Sequence, residues 1–124
     1  MHLRTKSLLF AGVLAIALVQ APAMAQEEVA KEKMIAALQS VAGGTCPEKL
    51  MSPLLLEQCE QQLGLMQQAL TRMGSIQEAR YRGIEPLPTG AQAEVYRVVF
   101  SRGTMIWMAA LGPSGKLSVL WSPG

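Results

Sequence analysis

VYRVVFSRGTMIWMAALGPSGKLSVLWS, residues 95–122, contains three apolar runs separated by two turn signals. Val, Ile, Phe and Trp favour β-strands, and short Gly-containing segments between such runs favour hairpins. The stretch therefore predicts three strands that form an antiparallel meander, over Val95 to Ser101, Thr104 to Leu111 and Leu117 to Ser122. The predicted connections are the two-residue loop Arg102-Gly103 and the turn Pro113-Ser114-Gly115.

The register of these strands can be predicted because side chains alternate between the two faces of a sheet. A two-residue first loop and a three-residue second turn give one continuously apolar face, which we expect to pack on a helix. That face comprises Tyr96, Val98, Phe100, Met105, Trp107, Ala109, Leu117, Val119 and Trp121. The opposite face comprises Val95, Arg97, Val99, Ile106, Met108 and Leu120. It is also mostly apolar, so it is a candidate interface, most simply of a homodimer, unless the first helix crosses over it.

Residues before position 75 have helical periodicity instead, with apolar side chains every three or four positions. Helices are predicted over Glu27 to Ala42, Thr45 to about Met51 and Pro53 to Met73. A further strand is predicted from Ile76 to about Ile84. The exported chain, 26–124, is therefore predicted to be one small α+β domain. Its helices, over about 27–74, pack on a meander of three or four antiparallel strands over about 76–122.

The first 25 residues have the pattern of a secretory signal peptide. Arg4 and Lys6 precede an apolar run from Leu8 to Val19, and Ala23-Met24-Ala25 ends the segment. This order predicts cleavage after Ala25. The apolar run has about a dozen residues, whereas a membrane-spanning helix needs about 20. We therefore expect a protein of the periplasm or the extracellular space that has no membrane anchor after cleavage.

The exported part is predicted to have no net charge. The whole chain has 11 Lys and Arg and 9 acidic residues, and loss of Arg4 and Lys6 leaves equal numbers. Nucleic-acid-binding proteins usually carry a clustered basic surplus, because neutralisation of phosphates supplies much of their affinity. The charge balance therefore argues against a nucleic-acid partner.

Several catalytic residue types are missing from the exported part. His2 is the one histidine, and the chain contains no Asp and no Asn. A Ser-His-Asp or Cys-His arrangement therefore cannot be built, and two Cys with scattered Glu are a poor ligand set for zinc. We expect no enzymatic activity, no metal and no cofactor, although a Glu could still act as a lone general base.

Cys46 and Cys59 are predicted to form a disulfide, because an even pair of cysteines in an exported protein is usually oxidised. On one continuous helix, their separation of 13 residues would place them about 20 Å apart, much farther than a disulfide spans. The chain must therefore fold back between them, and Ser52-Pro53 supplies the helix start that allows it. Two free thiols, one of them reactive, are the alternative.

Short motifs follow one another in order along the second half of the chain. They are Gly74-x-Ile76, Tyr81-x-Gly83, Val95-Tyr96-x-Val98-x-Phe100, Gly103, Trp107, Leu111 and Gly115-Lys116-Leu117. This order resembles small exported nuclear-transport-factor-2-like or cystatin-like domains, which occur alone or appended to secreted serine hydrolases. The resemblance covers 70–121 and implies a curved sheet wrapped around a helix, frequent dimerisation and a ligand cavity. The exported part lacks the Asp and His that catalytic members commonly use.

A cavity between helix and sheet would have aromatic walls. Tyr81, Tyr96, Trp107 and Trp121 are the candidate wall residues, and Glu78 or Glu94 are the nearest acids. In the alternative interpretation the aromatic side chains are ordinary core and the acids face solvent. The expected function is a non-enzymatic periplasmic binding or protein-interaction module. The alternative is a small-molecule-binding cavity protein or an isomerase-like enzyme.

A third possibility is an inhibitor or immunity protein that blocks an envelope hydrolase. Small exported domains with a disulfide suit that role, and the connection from Glu85 to Gln92 is the candidate semi-rigid loop. An ordinary connection between strands is the simpler interpretation of this segment.

Overall fold

Two helices precede four strands in residues 28–124, the part of the chain that the computed structural model describes. The helices are α1 (Lys31–Ala42) and α2 (Pro53–Met73). The strands are β1 (Ile76–Pro86), β2 (Gln92–Phe100), β3 (Gly103–Leu111) and β4 (Leu117–Trp121). All neighbouring strands are antiparallel, in the order β1-β2-β3-β4. The predicted α+β class is confirmed, whereas the predicted signal peptide lies outside the described residues.

The hairpin between β2 and β3 turns one residue earlier than predicted. Phe100 pairs with Gly103, so the loop is Ser101-Arg102, and Tyr96 lies opposite Trp107. The shift moves every partner along β3 by two residues, and a two-residue shift returns a side chain to the same face. The side chains of β2 and β3 therefore lie on the faces that the sequence predicts.

The register of β4 differs from the prediction because of a β-bulge. Leu117 pairs with Leu111 and Val119 with Ala110, so Ser118 has no partner of its own on β3. One extra residue reverses the alternation that follows it. The predicted positions of three side chains are therefore wrong: Leu120 lies on the helix side, and Val119 and Trp121 lie on the opposite side.

The region between the helices is a turn and not the predicted short helix. Residues 48–50 form a turn, and Met51 makes an isolated parallel bridge to Leu117. The chain enters α2 directly afterwards, where the Ser52 hydroxyl accepts a hydrogen bond from the Leu55 N–H (3.3 Å) and Pro53 occupies the first turn. Pairing of the backbone from Leu50 to Ser52 with Leu117 holds the end of this segment extended, so a helix does not run to Met51.

Both helices pack on the same face of the sheet. Buried side chains of α1 and α2 belong to one cluster with those of β2, β3 and β4. Leu63, Met66 and Leu70 of α2 belong to this cluster together with Val98 and Trp107 of the sheet, whereas Val119 does not. The alternative in which the first helix crosses to the other face is therefore wrong. The helix-side core comprises Met34, Leu38, Val41, Met51, Leu55, Leu70, Tyr96, Val98, Phe100, Trp107, Leu117 and Leu120, among others.

The opposite face of the sheet, called the outer face below, has no helix on it among residues 28–124. It carries Val95, Arg97, Val99, Ile106 and Met108, as predicted for the candidate interface, together with Val119 and Trp121. Met108 is buried in a small second cluster with Ala93 and Ala110, and the side chain of Leu87 from the β1–β2 connection packs on it. The rest of the outer face is half-buried or exposed, and Trp121 is 55% exposed.

A disulfide joins Cys46, in the turn after α1, to Cys59, in α2. The two Cα atoms are 6.1 Å apart, which lies within the usual range for a disulfide. The predicted disulfide is confirmed. It fixes the segment between the helices against α2.

Reduction of this disulfide is expected to lower the free energy of unfolding by about 3 kcal/mol, because the bond closes a loop of about 14 residues. A loss of this size should lower the melting temperature by several degrees or more. Intact mass after alkylation should show two added labels only when reductant is present. A Cys46→Ser, Cys59→Ser double variant, whose melting temperature should not respond to reductant, is the control. Two reactive thiols in the unreduced protein would contradict the prediction.

Candidate functional site

The four aromatic candidates do not line one cavity. Tyr81 and Tyr96 pack edge to face near α1, with ring centroids 5.7 Å apart and an angle of 64° between the rings. Trp107 and Trp121 instead line a groove between α2 and the β3–β4 edge of the sheet. Tyr81, Tyr96 and Trp107 lie on the helix side of the sheet, whereas Trp121 lies on the opposite side, so the four side chains do not form one wall.

Glu94 is buried beside the tyrosines and serves the start of α1. Its carboxylate, 5% exposed, accepts hydrogen bonds from the N–H groups of Val29 (3.1 Å) and Ala30 (3.0 Å). The Tyr96 hydroxyl donates a third bond of 2.7 Å. A carboxylate at a helix N-terminus satisfies otherwise unpaired N–H groups and interacts favourably with the helix dipole. The carboxylate therefore acts as a cap supplied by the sheet.

Tyr96 is held in its protonated form by the same surroundings. Its side chain is fully buried, and burial raises the pKa of the hydroxyl, as do the hydrogen bond to Glu94 and the negative charge of that carboxylate. The phenol therefore remains a donor to Glu94 and is not poised to act as a base near neutral pH. This cluster is a structural network in which each polar group has a partner.

Glu78, the other candidate acid, lies on the exposed surface of β1. It forms an ion pair with Arg80, and this hydrogen bond lowers the pKa of the Glu78 carboxyl and raises that of the Arg80 guanidinium. The pair is fully solvated, and surface pairs of this kind contribute little to stability. Neither predicted acid is near the groove that Trp107 and Trp121 line.

The groove along α2, called the α2–β4 groove below, consists of two adjacent depressions. Their volumes are about 180 Å³ and about 240 Å³. They share Gln62, Met66, Leu120 and Trp121, so they adjoin one another along the helix. The smaller is also lined by Met51, Leu55, Gln58, Cys59, Ser118 and Val119, and the larger by Leu65, Ala69, Leu70, Met105, Trp107 and Ser122.

Trp107 brings an unsatisfied polar atom to this groove. Its side chain is 5% exposed, and its indole Nε1–H is buried without a hydrogen-bond partner among the residues that the structure describes. A buried donor with no acceptor costs about 1–3 kcal/mol. Buried Trp N–H groups usually have a partner, so an acceptor placed beside this donor would be stabilising, and the Trp107 side chain lines the larger depression.

The chemistry of the α2–β4 groove is apolar and uncharged. None of its lining residues is Glu, Lys or Arg, and Cys59 is held in the disulfide. The polar groups on its walls are the amides of Gln58 and Gln62 and the hydroxyls of Ser118 and Ser122. Leu65, on the helix rim, is 76% exposed, which is unusual for a large apolar side chain. This lining suits hydrogen bonding and apolar contact with a neutral molecule.

The β1–β2 connection, the candidate inhibitory segment, is anchored to the sheet. The Leu87 N–H donates to the Ala91 carbonyl (2.8 Å), and the Gly90 N–H donates to the Leu87 carbonyl (2.9 Å). The half-buried side chain of Leu87 packs on the outer-face cluster. The segment is therefore a hairpin connection held at its base, as its simpler interpretation requires.

Residues 28–124 contain no group of three or more His, Cys, Asp or Glu side chains arranged to hold a metal ion. Neither α1 nor α2 is both long enough and apolar enough to cross a bilayer.

Comparisons with known proteins do not assign the chain to a family. No protein-family model matches it, and neither a curated protein nor a solved structure matches it at a significant level. The resemblance to nuclear-transport-factor-2-like and cystatin-like domains therefore stays a prediction. The function has to be argued from the α2–β4 groove and the outer face.

The groove residues of α2 were not singled out in the sequence. Gln58, Gln62 and Ala69 belong to a helix whose predicted role is to cover the sheet. One available signal is Leu65, which lies out of phase with the predicted apolar stripe of that helix. A large apolar side chain outside the buried stripe indicates an exposed hydrophobic surface, which is a candidate binding site.

Proposed function

We propose that this protein is an exported, non-enzymatic binding module that holds an uncharged, partly apolar ligand in the α2–β4 groove. The observation that carries the proposal is the buried Trp107 N–H, which lacks an acceptor and belongs to a side chain that lines the larger depression. A ligand acceptor at this point would remove the cost of the unpaired donor, while the apolar walls would contribute burial of apolar surface.

The lining of the groove supports binding without catalysis. General acid–base catalysis needs a titratable side chain within hydrogen-bond reach of the reacting group. The lining residues supply amides, hydroxyls and an indole, which orient a ligand but do not exchange protons near neutral pH. The buried carboxylate of Glu94 already accepts three hydrogen bonds away from this groove.

Export is the part of the proposal that rests on the first 25 residues and on the cysteines. The charge and apolar pattern before Ala25 is that of a signal peptide, and the Cys46–Cys59 bond suits an oxidising compartment. A periplasmic or extracellular binding module is consistent with both features.

A neutral fluorescent probe, N-phenyl-1-naphthylamine, tests the binding proposal. Its emission is expected to rise on addition of the folded protein, as it enters the apolar depression. Ala69→Glu places a carboxylate on the groove wall and should abolish the rise. Gln68→Glu makes the same charge change at the adjacent exposed position and should preserve it. Equal emission with both variants, or no rise with the native protein, would contradict binding in this groove.

The two indole N–H groups provide a second readout of the same experiment. In ¹⁵N-labelled protein, a ligand that carries an acceptor should shift the Trp107 indole resonance more than that of Trp121. Trp121→Phe assigns the two signals, because the chain has two Trp. A shift at Trp121 without one at Trp107 would show that the ligand does not reach the unpaired N–H, because Trp121 lines both depressions.

The outer face supports a second proposal, a two-fold homodimer. Val95, Val99 and Ile106 are half-buried there without a covering helix among the described residues, and Trp121 is 55% exposed. A two-fold contact places the same apolar patch on both partners. The exported part has equal numbers of acidic and basic residues, so two copies do not repel one another through net charge.

Ile106→Glu and Val99→Glu are each expected to convert this dimer into a folded monomer, because they place a carboxylate at the centre of the contact. Light scattering at micromolar concentration measures the mass, and circular dichroism reports the fold. Gln77→Glu, at an exposed position of β1, is the control and should remain dimeric. A native monomer that unfolds with both outer-face substitutions would show that the face is ordinary core.

A further inference from the structure

We propose that the ligand of the α2–β4 groove is an extended, uncharged peptide that adds as a strand to the free edge of β4. This inference rests on the proposed binding function and specifies the class of ligand. It combines three features of the groove, which are a strand edge along one wall, amide side chains along the other, and the lining side chain of Trp107 with its unpaired N–H.

The edge of β4 already accepts an extended segment at its first residue. β4 is the last strand of the sheet. On the edge of β4 that points away from β3, Leu117 pairs with the chain around Met51. The Leu117 N–H donates to the Leu50 carbonyl, and the Ser52 N–H donates to the Leu117 carbonyl, both at 2.8 Å. The chain then turns into α2. Within residues 28–124, no strand therefore pairs with this side of β4 beyond Leu117.

The free edge faces the groove. Four consecutive residues, 118–121, line the smaller depression. Leu120 lies on the helix side of the sheet, whereas Val119 and Trp121 lie on the outer side. Consecutive residues with opposed side chains can all line one depression only where it runs along the strand's edge, so the backbone of β4 forms this wall.

This edge lacks the usual protection against strand pairing beyond its first residues. Edge strands commonly carry charged side chains, Pro or a bulge that prevent another strand from adding. The bulge of β4 lies at Ser118, next to the bridged Leu117. Residues 119–121 then carry neither a charge nor a Pro. Their backbone groups are therefore suited to pair with an extended peptide, a recurring mode of peptide recognition.

The opposite wall selects the kind of peptide. Gln58 and Gln62 of α2 line the groove across from β4, and an amide side chain can both donate to and accept from a peptide backbone. The absence of charged lining residues disfavours Asp, Glu, Lys and Arg in the ligand. An inward apolar side chain would fill the larger depression beside Trp107. The four residues 118–121 span about 13 Å, which is the length of a tetrapeptide.

The test uses a library of capped, uncharged hexapeptides and selects those that bind the native protein. Selected peptides are then N-methylated at alternate residues, in two series that differ by one position. Methylation removes the N–H groups on one edge of the peptide and leaves the side chains in place. We expect one series to lose affinity at least about tenfold, or about 1.4 kcal/mol, and the other to lose much less. Amide hydrogen exchange of residues 118–121 should slow on binding.

The controls separate this inference from the proposed function. Peptide binding should be lost with Ala69→Glu and kept with Gln68→Glu. If N-phenyl-1-naphthylamine binds the groove but no library peptide does, the peptide inference is wrong and the binding function stands. Peptides whose two N-methylated series bind equally would also overturn strand addition. If neither probe binds, the proposed function itself fails.

Discussion

Trp107→Ala is expected to lower the free energy of unfolding by about 3–5 kcal/mol, the usual cost of removing a buried Trp side chain. Trp107 lies opposite Tyr96 at the centre of the sheet and packs in the helix-side core. A small domain has about 5–15 kcal/mol of stability in total, so the variant should be close to unfolding. Urea denaturation followed by circular dichroism measures the change.

Two further substitutions make the Trp107 prediction specific. Trp121→Ala removes the same side chain from the outer face, where it is 55% exposed, and should cost less than about 1 kcal/mol. Trp107→Phe retains an aromatic ring but removes the unpaired N–H, so it should cost less than half as much as Trp107→Ala. An equal loss for Trp107→Ala and Trp121→Ala would contradict the assignment of Trp107 to the helix-side core and of Trp121 to the outer face. A loss for Trp107→Phe as large as for Trp107→Ala would show that the indole N–H has a partner.

Glu94→Ala is expected to lower the free energy of unfolding by about 4 kcal/mol, because three donors lose a charged acceptor. The donors are the N–H groups of Val29 and Ala30 and the hydroxyl of Tyr96. Two of the three donors are buried, so water replaces the carboxylate poorly there. Urea denaturation measures the stability, and faster hydrogen exchange at Val29 and Ala30 would locate the loss at the start of α1.

Variants of Glu94 and of a neighbouring strand provide the comparison. Glu94→Gln keeps one acceptor oxygen and should cost about half as much as Glu94→Ala, since it loses the charge but not every hydrogen bond. Glu85→Ala removes an exposed carboxylate from β1 and should change stability by less than about 0.5 kcal/mol. A Glu94→Ala protein as stable as the native one would mean that the carboxylate does not cap α1.

The hairpin β2–β3 was predictable because two independent local signals agree on it. A Gly next to the turn and alternating apolar residues on both sides restrict the pairing to a few registers. The observed hairpin turns one residue earlier than predicted, yet Tyr96 and Trp107 still lie on the same face. The register of β4 was not predictable in the same way. The bulge at Ser118 has no Gly or Pro to mark it, and one inserted residue reverses every later side chain.

Glu94 shows how the burial of a polar residue can be missed even when it lies in phase with the buried side chains of its strand. It lies two positions before Tyr96 and four before Val98, so strict alternation places its side chain on the buried face. Its acceptor role depends on the backbone of Val29 and Ala30, more than 60 positions earlier in the chain. Composition and periodicity do not indicate this contact between distant segments. A solvent-exposed Glu94 was therefore a reasonable alternative interpretation.

Local interactions determined the class of this protein, the order of its elements, the helix start at Ser52-Pro53 and the Cys46–Cys59 bond. These features depend on neighbouring residues or on the reach of a short loop, both of which can be counted along the chain. Packing decided which face Leu120 occupies, which helix end Glu94 caps and where the α2–β4 groove opens. Each of these depends on contacts between segments that are distant in sequence. In β4, a single bulge is enough to change the face on which the following side chains lie.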